Sequence, residues 1–247
     1  MNEKVVIVTG ASRGIGAATS KILAERGAKV IVNYANNSTA ANEVVASILE
    51  KGGDATAIQA DVRDMEQMSK MVEETIKIYG TINVLVHNAG MSFVKKSFED
   101  MIFDEFIQKS HDELQAAFTS TKSVLPYMKK QKYGKLIYVS SGLSNQPAPN
   151  FIAHGTSKGA LNSFVRYIAQ ELGSEGITAN IVSPGLVETD AITFLPEEFK
   201  KQQGISLPLG RIGVPMDIAK TIAFYASDDS DYLTGSYLPV SGGGEMG

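Results

Sequence analysis

The chain has 247 residues, of which 43% are hydrophobic, and its formal net charge is −4. This acidic balance provides no general attraction to phosphate backbones and argues against nucleic acid as a partner. The absence of cysteine excludes disulfide bonds and thiolate metal sites, and no apolar run approaches the ~18 residues of a membrane span.

Short runs rich in Val and Ile alternate with longer helical patterns along the sequence. The predicted strands lie at 4–9, 28–34, 55–60, 82–87, 134–140, 177–183 and 236–240, and the predicted helices lie near 14–26, 38–51, 64–79, 101–130, 155–173 and 215–227. Apolar strands without clean alternation are typical of a parallel sheet that helices cover on both faces. The pattern predicts a Rossmann-like, doubly wound α/β fold with seven parallel strands.

We expect residues 1–247 to form a single domain, because no linker or low-complexity segment interrupts this pattern. A long segment from Ser183 to about Gly213 carries three prolines, and a loop of that length in a compact fold is more often functional than a tether. We expect a substrate lid loop at about 186–213. The opening MNEKVVIVTG lacks the features of a secretory signal, which favours a soluble, cytoplasmic protein.

The motif TGASRGIG follows the first predicted strand and opens the first predicted helix. Glycines at this turn let a pyrophosphate approach main-chain N–H groups at the helix N-terminus. The motif predicts a dinucleotide site that includes Gly10, Ser12, Arg13, Gly14, Ile15 and Gly16. The alternative is a tight turn without a ligand.

The end of the second strand indicates which dinucleotide binds. A carboxylate there would accept the ribose hydroxyls of NAD and repel the 2′-phosphate of NADP, but the sequence has Asn33 and no acid before Glu43. Arg13 is placed to reach a 2′-phosphate. The charges favour NADP(H) over NAD(H), with Asn33 at the site; the alternative for Arg13 is an ordinary solvated charge.

Two further motifs follow strands, where open α/β sheets bind ligands. One is Asp61 and Val62, of which Asp61 is expected to meet the adenine amine. The other is Asn88, Ala89 and Gly90, which are expected to line the cofactor groove. The alternative for each is simple turn formation.

In order and spacing, TGASRGIG, HNAG, YVSS, the lysine of HGTSK, SPGLVETD and YLTGSYLPVSGGG resemble the short-chain dehydrogenase/reductase family over nearly the whole chain. Within it, the sequence is most similar to bacterial 3-oxoacyl-(acyl-carrier-protein) reductases. The resemblance implies hydride transfer from a nicotinamide to a carbonyl carbon. It assigns Ser141 to polarising the carbonyl and Lys158 to the nicotinamide ribose, and it adds further cofactor contacts at Pro184, Gly185, Val187 and Thr189.

Two positions depart from the family pattern. His154 occupies the position of the proton-donating tyrosine, and Glu113 occupies that of an asparagine. The tyrosine position of the related enoyl reductases is Phe151. In one interpretation His154 donates the proton, since histidine is a competent acid near neutral pH, and Glu113 favours its charged form. Ser141, His154, Lys158 and Glu113 are then the catalytic residues.

In the other interpretation Glu113 pairs with Lys158 and His154 is inert. The chain would then be an NADP(H)-binding subunit of a hetero-oligomer with an active paralogue, or a cofactor-sensing protein. An enoyl-thioester reductase is a further alternative. The resemblance also implies a homotetramer or homodimer through the helices at about 101–130 and 155–173.

The sequence gives little indication of a metal site or of a protein partner. His87, His111 and His154 are too scattered for a metal site, so none is expected. Basic residues at Lys95, Lys96, Lys129, Lys130 and Lys132 would suit an acyl-carrier protein delivering the acyl substrate, although solvated surface charge is the commoner explanation.

Overall fold

The computed structural model describes residues 1 and 3–246. The strands are β1 (Val5–Val8), β2 (Lys29–Tyr34), β3 (Asp54–Gln59), β4 (Val84–His87), β5 (Gly134–Val139), β6 (Ile177–Pro184) and β7 (Tyr237–Val240). The helices are α1 (Gly14–Glu25), α2 (Ser38–Leu49), α3 (Met65–Tyr79), α4 (Phe103–Gln131), α5 (Ile152–Leu172), α6 (Glu197–Ile205) and α7 (Pro215–Ala226). The seven predicted strands and six predicted helices are confirmed, and α6 is additional.

All seven strands belong to one parallel sheet in the order β3-β2-β1-β4-β5-β6-β7. The chain leaves β1 toward β2 on one side and returns to β4 on the other. In open parallel sheets this reversal of direction opens a crevice at the carboxyl ends of the strands, where ligands bind. The predicted Rossmann-like fold is confirmed, and its crevice lies beside β1 and β4.

Both faces of the sheet are buried, as the unbroken apolar strands predict. Val6 and Val8 of β1 belong to the core on one face, and Ile7 belongs to the core on the other. Successive side chains of a strand point to opposite faces, so a strand covered on both sides is apolar at most of its positions. The central strands are therefore rigid supports for the loops that leave their ends.

The segment expected to be a lid loop is not wholly irregular. It contains α6, and a short 3₁₀ turn at Asp190–Ile192 precedes that helix. Pro196 is the N-cap of α6, and Glu197 and Glu198 occupy its first turn, where carboxylates stabilise the helix dipole. Pro196 and Pro208, which favoured the prediction of a loop, lie on either side of α6. The helix was not predicted because its apolar pattern is weak.

Helix α5 begins at Ile152, three residues before its predicted start. His154 consequently lies in its first turn, and Lys158 lies one turn further along the same helix. Within the described residues no helix is long and apolar enough to cross a membrane.

Candidate active site

The glycine loop after β1 is packed too closely to hold larger residues. Gly10 and Gly14 have φ values of +58° and +55°, in the left-handed region that favours glycine. A Cβ on Gly10 would lie 2.8 Å from Ala89 Cα, and one on Gly16 would lie 2.5 Å from Gly10 O. The loop therefore depends on its glycines for both conformation and space.

The N-terminus of α1 is free to receive an anion. Its N-cap, Arg13, is extended and makes no side-chain capping hydrogen bond, and the first turn has no acidic residue. The first N–H groups of a helix have no intrahelical partners and carry a positive partial charge. Uncapped N–H groups beside a glycine loop fit the pyrophosphate of a dinucleotide.

The two residues expected to select the dinucleotide have different surroundings. Arg13 is exposed, and its guanidinium makes no hydrogen bond or ion pair with any residue in the described part of the chain. Asn33 is only 1% exposed, and its amide accepts from Gly10 N at 3.3 Å and donates to Ala60 O at 3.0 Å. The side chain of Asn33 therefore supports the glycine loop from behind, and a direct contact of Asn33 with the dinucleotide stays a prediction.

The segment after β4 also supports this loop. Asn88 Nδ2 donates to Thr9 O at 2.9 Å and to Gly10 O at 3.1 Å, and Thr9 Oγ1 accepts from the N–H groups of Asn88 and Ala89. Gly90 is exposed, with nothing within 4 Å of its would-be Cβ. Thr9 was not among the predicted residues, although its position at the end of β1 was visible in the sequence.

Asp61 follows β3 as predicted, but its carboxylate is occupied. Arg63 donates to its two oxygens at 3.1 and 2.7 Å, and these hydrogen bonds lower the pKa of Asp61. Val62 is buried. An adenine contact at Asp61 stays a prediction, and it would have to share the carboxylate with Arg63.

The segment that follows β6 approaches the glycine loop after β1. Pro184 ends the strand, and a Cβ on Gly185 would lie 3.0 Å from Ser241 Cα. Val187 pairs with Gly213 in an isolated parallel bridge. The methyl group of Thr189 would lie 3.4 Å from a Cβ on Gly14. The fold thus brings SPGLVETD beside the predicted pyrophosphate site.

The reaction end of the site follows β5. Ser141 caps the 3₁₀ turn Gly142–Ser144, with Oγ accepting from Leu143 N at 3.3 Å. Lys158 Nζ donates to Val139 O at 2.9 Å and to Glu113 Oε1 at 2.6 Å. The ion pair of the second interpretation is therefore present, and it joins α4 to α5.

Glu113 has a second cationic partner, Lys109, which was not among the predicted residues. Lys109 Nζ lies 2.5 Å from Glu113 Oε2 and donates to Met91 O at 2.7 Å. Burial would raise the pKa of Glu113, but the charges of Lys158 and Lys109 lower it to about 2. The spacing of four residues between Lys109 and Glu113 on a predicted helix was the available signal.

His154 packs against an aromatic side chain beside this cluster. Its ring stacks on Phe93 with a centroid distance of 4.6 Å, and its Nδ1 is buried without a hydrogen-bond partner among the described residues. Burial lowers the pKa of His154 to about 4, and the charges of Lys158 and Lys109 act in the same direction against Glu113. The imidazole is consequently neutral at neutral pH.

A neutral imidazole carries one N–H, and burial indicates where it sits. An orphaned buried N–H is rarer than an orphaned acceptor, so we assign the proton to Nε2 and leave Nδ1 as the unpaired acceptor. Such a ring can donate a hydrogen bond to a carbonyl oxygen but is a much weaker acid than imidazolium.

The other two histidines are remote from this role. His87 is buried with Nδ1 3.1 Å from Ser120 Oγ, and His111 lies beside Asp112. No group of three potential metal ligands occurs among the residues that the structure describes.

The chain is similar over nearly its whole length to several known proteins. A family model described as "Enoyl-(Acyl carrier protein) reductase" matches residues 10–245. Versicolorin reductase 1 of Aspergillus parasiticus is 36% identical, over 98% of this chain and 97% of its own length. The 3-oxoacyl-[acyl-carrier-protein] reductase of Staphylococcus aureus is 37% identical, over 97% of each chain. The crystal structure of a dehydrogenase/reductase from Sinorhizobium meliloti 1021 matches with a TM-score of 0.89 and 33% identity, over 98% of this chain and 95% of that one.

Proposed function

Because this chain belongs to the short-chain dehydrogenase/reductase family, we propose that it is an NADPH-dependent reductase of a 3-oxoacyl thioester or related carbonyl compound, with an atypical active site. The observation that carries the proposal is that an uncapped helix N-terminus follows β1 and buried Lys158 hydrogen-bonds to the last residue of β5, so that both lie at the carboxyl edge of one parallel sheet. The S. aureus relative, named as a 3-oxoacyl-[acyl-carrier-protein] reductase, supports the substrate class.

The glycine loop, the α1 N-terminus and Arg13 are the groups that would hold NADPH. When bound, NADPH supplies the hydride. Arg13 supports a preference for the 2′-phosphate, because its guanidinium is exposed and has no described partner. We expect Arg13→Ala to weaken NADPH binding about tenfold and to leave NADH binding unchanged, as measured by calorimetry. Arg26→Ala, at the exposed opposite end of α1, is the matched control; equal effects on both dinucleotides would contradict the preference.

At the reaction end, Ser141 and His154 are proposed to polarise the substrate carbonyl. The Oγ–H of Ser141 and the Nε2–H of His154 donate hydrogen bonds to the carbonyl oxygen, and Lys158 offers its remaining N–H to a ribose hydroxyl. Because the imidazole is neutral at neutral pH, the proton that completes the alcohol comes from solvent. We therefore propose a slower reaction than a stronger, well-placed acid would support.

Turnover is tested by following NADPH oxidation with an acetoacetyl thioester. We expect a measurable rate that falls at least tenfold in His154→Ala and stays unchanged in His111→Ala, a change at an exposed histidine. A rate indifferent to His154→Ala would remove this histidine from the mechanism. A crotonyl thioester in the same assay tests the alternative of an enoyl-thioester reductase.

A second candidate is an inert NADP(H)-binding subunit of a hetero-oligomer or a cofactor-sensing protein. The Glu113–Lys158 pair and the low pKa of His154 favour it. It predicts thermal stabilisation by NADPH without turnover on any carbonyl tested. His154→Tyr combined with Glu113→Asn should then create reductase activity, and co-purification should recover an active partner subunit.

We also propose that the protein forms a homotetramer or homodimer and that its acyl substrate is bound to a carrier protein. Exposed aromatic side chains on the two long helices support self-association, with Phe103 of α4 70% exposed and Tyr167 of α5 68% exposed. Of the lysines considered for a carrier protein, Lys96 is paired with Glu105 at 2.6 Å and Lys95 lies over the ring of Phe151. Light scattering measures the oligomeric state.

A further inference from the structure

Three charged side chains meet in the interior beside His154. Lys109 is 1% exposed and Glu113 is 0% exposed, and Lys158 is also buried. Each oxygen of Glu113 has its own ammonium partner, Lys158 at Oε1 and Lys109 at Oε2. Burying three charges is costly even when they are paired, so this arrangement calls for an explanation beyond packing.

The charge of the cluster shows what Lys109 contributes. Glu113 alone would cancel the charge of Lys158 and would favour a protonated His154. With Lys109 the cluster has a net charge of +1, the same as an isolated lysine at position 158. The negative charge of Glu113, which occupies the position of the family's asparagine, is thus compensated by a lysine of the same helix, α4.

Lys109 also contacts the segment that holds the imidazole. Its Nζ donates to Met91 O, two residues before Phe93, and lies 5.9 Å from the centre of the Phe93 ring. That ring stacks on His154. One ammonium group therefore links the charge balance of the cluster to the placement of the histidine.

We propose that Lys109 is a positioning residue that occupies Glu113 Oε2 and thereby keeps the reaction end at a net charge of +1, so that Lys158 stays an uncancelled cation for the ligand. The effect on turnover rests on the proposed function, but the effect on charge does not. Lys109 acts through Glu113 and Phe93 and need not touch the substrate.

Three variants separate charge from packing. Lys109→Met removes one cation and makes the cluster neutral, and Glu113→Gln leaves two cations. The double variant Lys109→Met/Glu113→Gln returns the cluster to +1 with side chains of nearly unchanged size. If Lys109 and Glu113 act only through packing, the double variant should be no more stable and no more active than either single variant.

The first readout is the pKa of His154 in the ligand-free protein, measured by NMR titration. The charges that face this ring are Lys109, Lys158 and Glu113, and the chain has only two other histidines, His87 and His111. We expect Lys109→Met to raise the pKa of His154 by on the order of one unit. Glu113→Gln should lower it, and the double variant should return it toward the wild-type value.

The second readout is kcat for NADPH oxidation. We expect Lys109→Met to lower kcat at least tenfold, and the double variant to recover to within about threefold of wild type. Lys109→Arg, which keeps the charge, should retain more activity than Lys109→Met. If Lys109→Met does not fold, Glu113→Gln and the double variant still differ by this one charge and still measure its effect.

A double variant whose His154 pKa does not move back toward wild type overturns the proposal, whatever its activity. If the pKa values follow the charge but no variant, wild type included, oxidises NADPH, the inference about Lys109 holds and the proposed reductase function fails. Normal turnover in every variant, with no charge dependence of the His154 pKa, would support the reductase function and overturn the role of Lys109.

Discussion

Replacing Gly16 with alanine tests the phosphate end of the site. The added Cβ would lie 2.5 Å from Gly10 O, 2.6 Å from Asn88 Nδ2 and 2.9 Å from Ala11 Cα, whereas ordinary contacts begin at 3.4 Å. The main-chain contacts cannot swing away, so the loop must move by up to about 0.9 Å. Such overpacking costs about 1–3 kcal/mol, or roughly 2–4 °C in Tm for each kcal/mol in a chain of this size.

The same displacement should weaken dinucleotide binding, because the N–H groups of the loop would no longer converge on the pyrophosphate. We expect a loss of NADPH affinity of about tenfold or more, which corresponds to ~1.4 kcal/mol, measured by titration calorimetry. Gly159→Ala in α5 is the matched control: nothing lies within 4 Å of its Cβ, and alanine in a helix interior should stabilise by ~0.5–1 kcal/mol. Wild-type stability and affinity in Gly16→Ala would refute the account of the loop.

Two further predictions concern buried polar groups. Asn33→Asp is the change that would ordinarily favour NAD. It should lower the free energy of unfolding by about 2–4 kcal/mol, because a buried carboxylate would face two backbone carbonyls. In the same thermal unfolding assay, the control Asn37→Asp at the N-cap of α2 should be nearly neutral. Burial lowers the pKa of His87 to about 4. Between about pH 4 and 6.5 the unfolded chain therefore binds more protons at this residue than the folded chain does. Stability should fall as the pH falls through that window, by at most ~3 kcal/mol from this group. The lowered pKa of His154 acts in the same direction, so His87→Asn should reduce this dependence in urea unfolding without abolishing it. An unchanged slope would show that His87 does not contribute.

Sequence and structure agree most closely where the determinants are local. The strands are short, mainly apolar runs, and two-sided burial leaves a direct pattern because most positions of a central strand are apolar. The glycine loop was equally visible, since Gly10 and Gly14 need a backbone conformation that few other residues adopt. Helix α6 was missed because a short, polar, exposed helix buries little and leaves little periodicity.

The candidate site was predicted in position but not in its interactions. The Glu113–Lys158 pair that one of the two interpretations required is present, whereas the partner at the second oxygen of Glu113 was not foreseen. Asn33 was placed correctly at the end of β2, but its side chain points into the protein. Which way a polar side chain turns depends on acceptors that lie far away in the chain.

By itself, the sequence determined the parallel sheet, the crossover after β1 and the residue types at the reaction end, because backbone preferences and apolar spacing act between near neighbours. Only the tertiary structure decided that Arg63 engages Asp61, that His154 is neutral, and that Lys109 balances Glu113. Those outcomes depend on burial and on distances between side chains brought together by the fold, and Coulomb energies in the interior change strongly over a few ångströms.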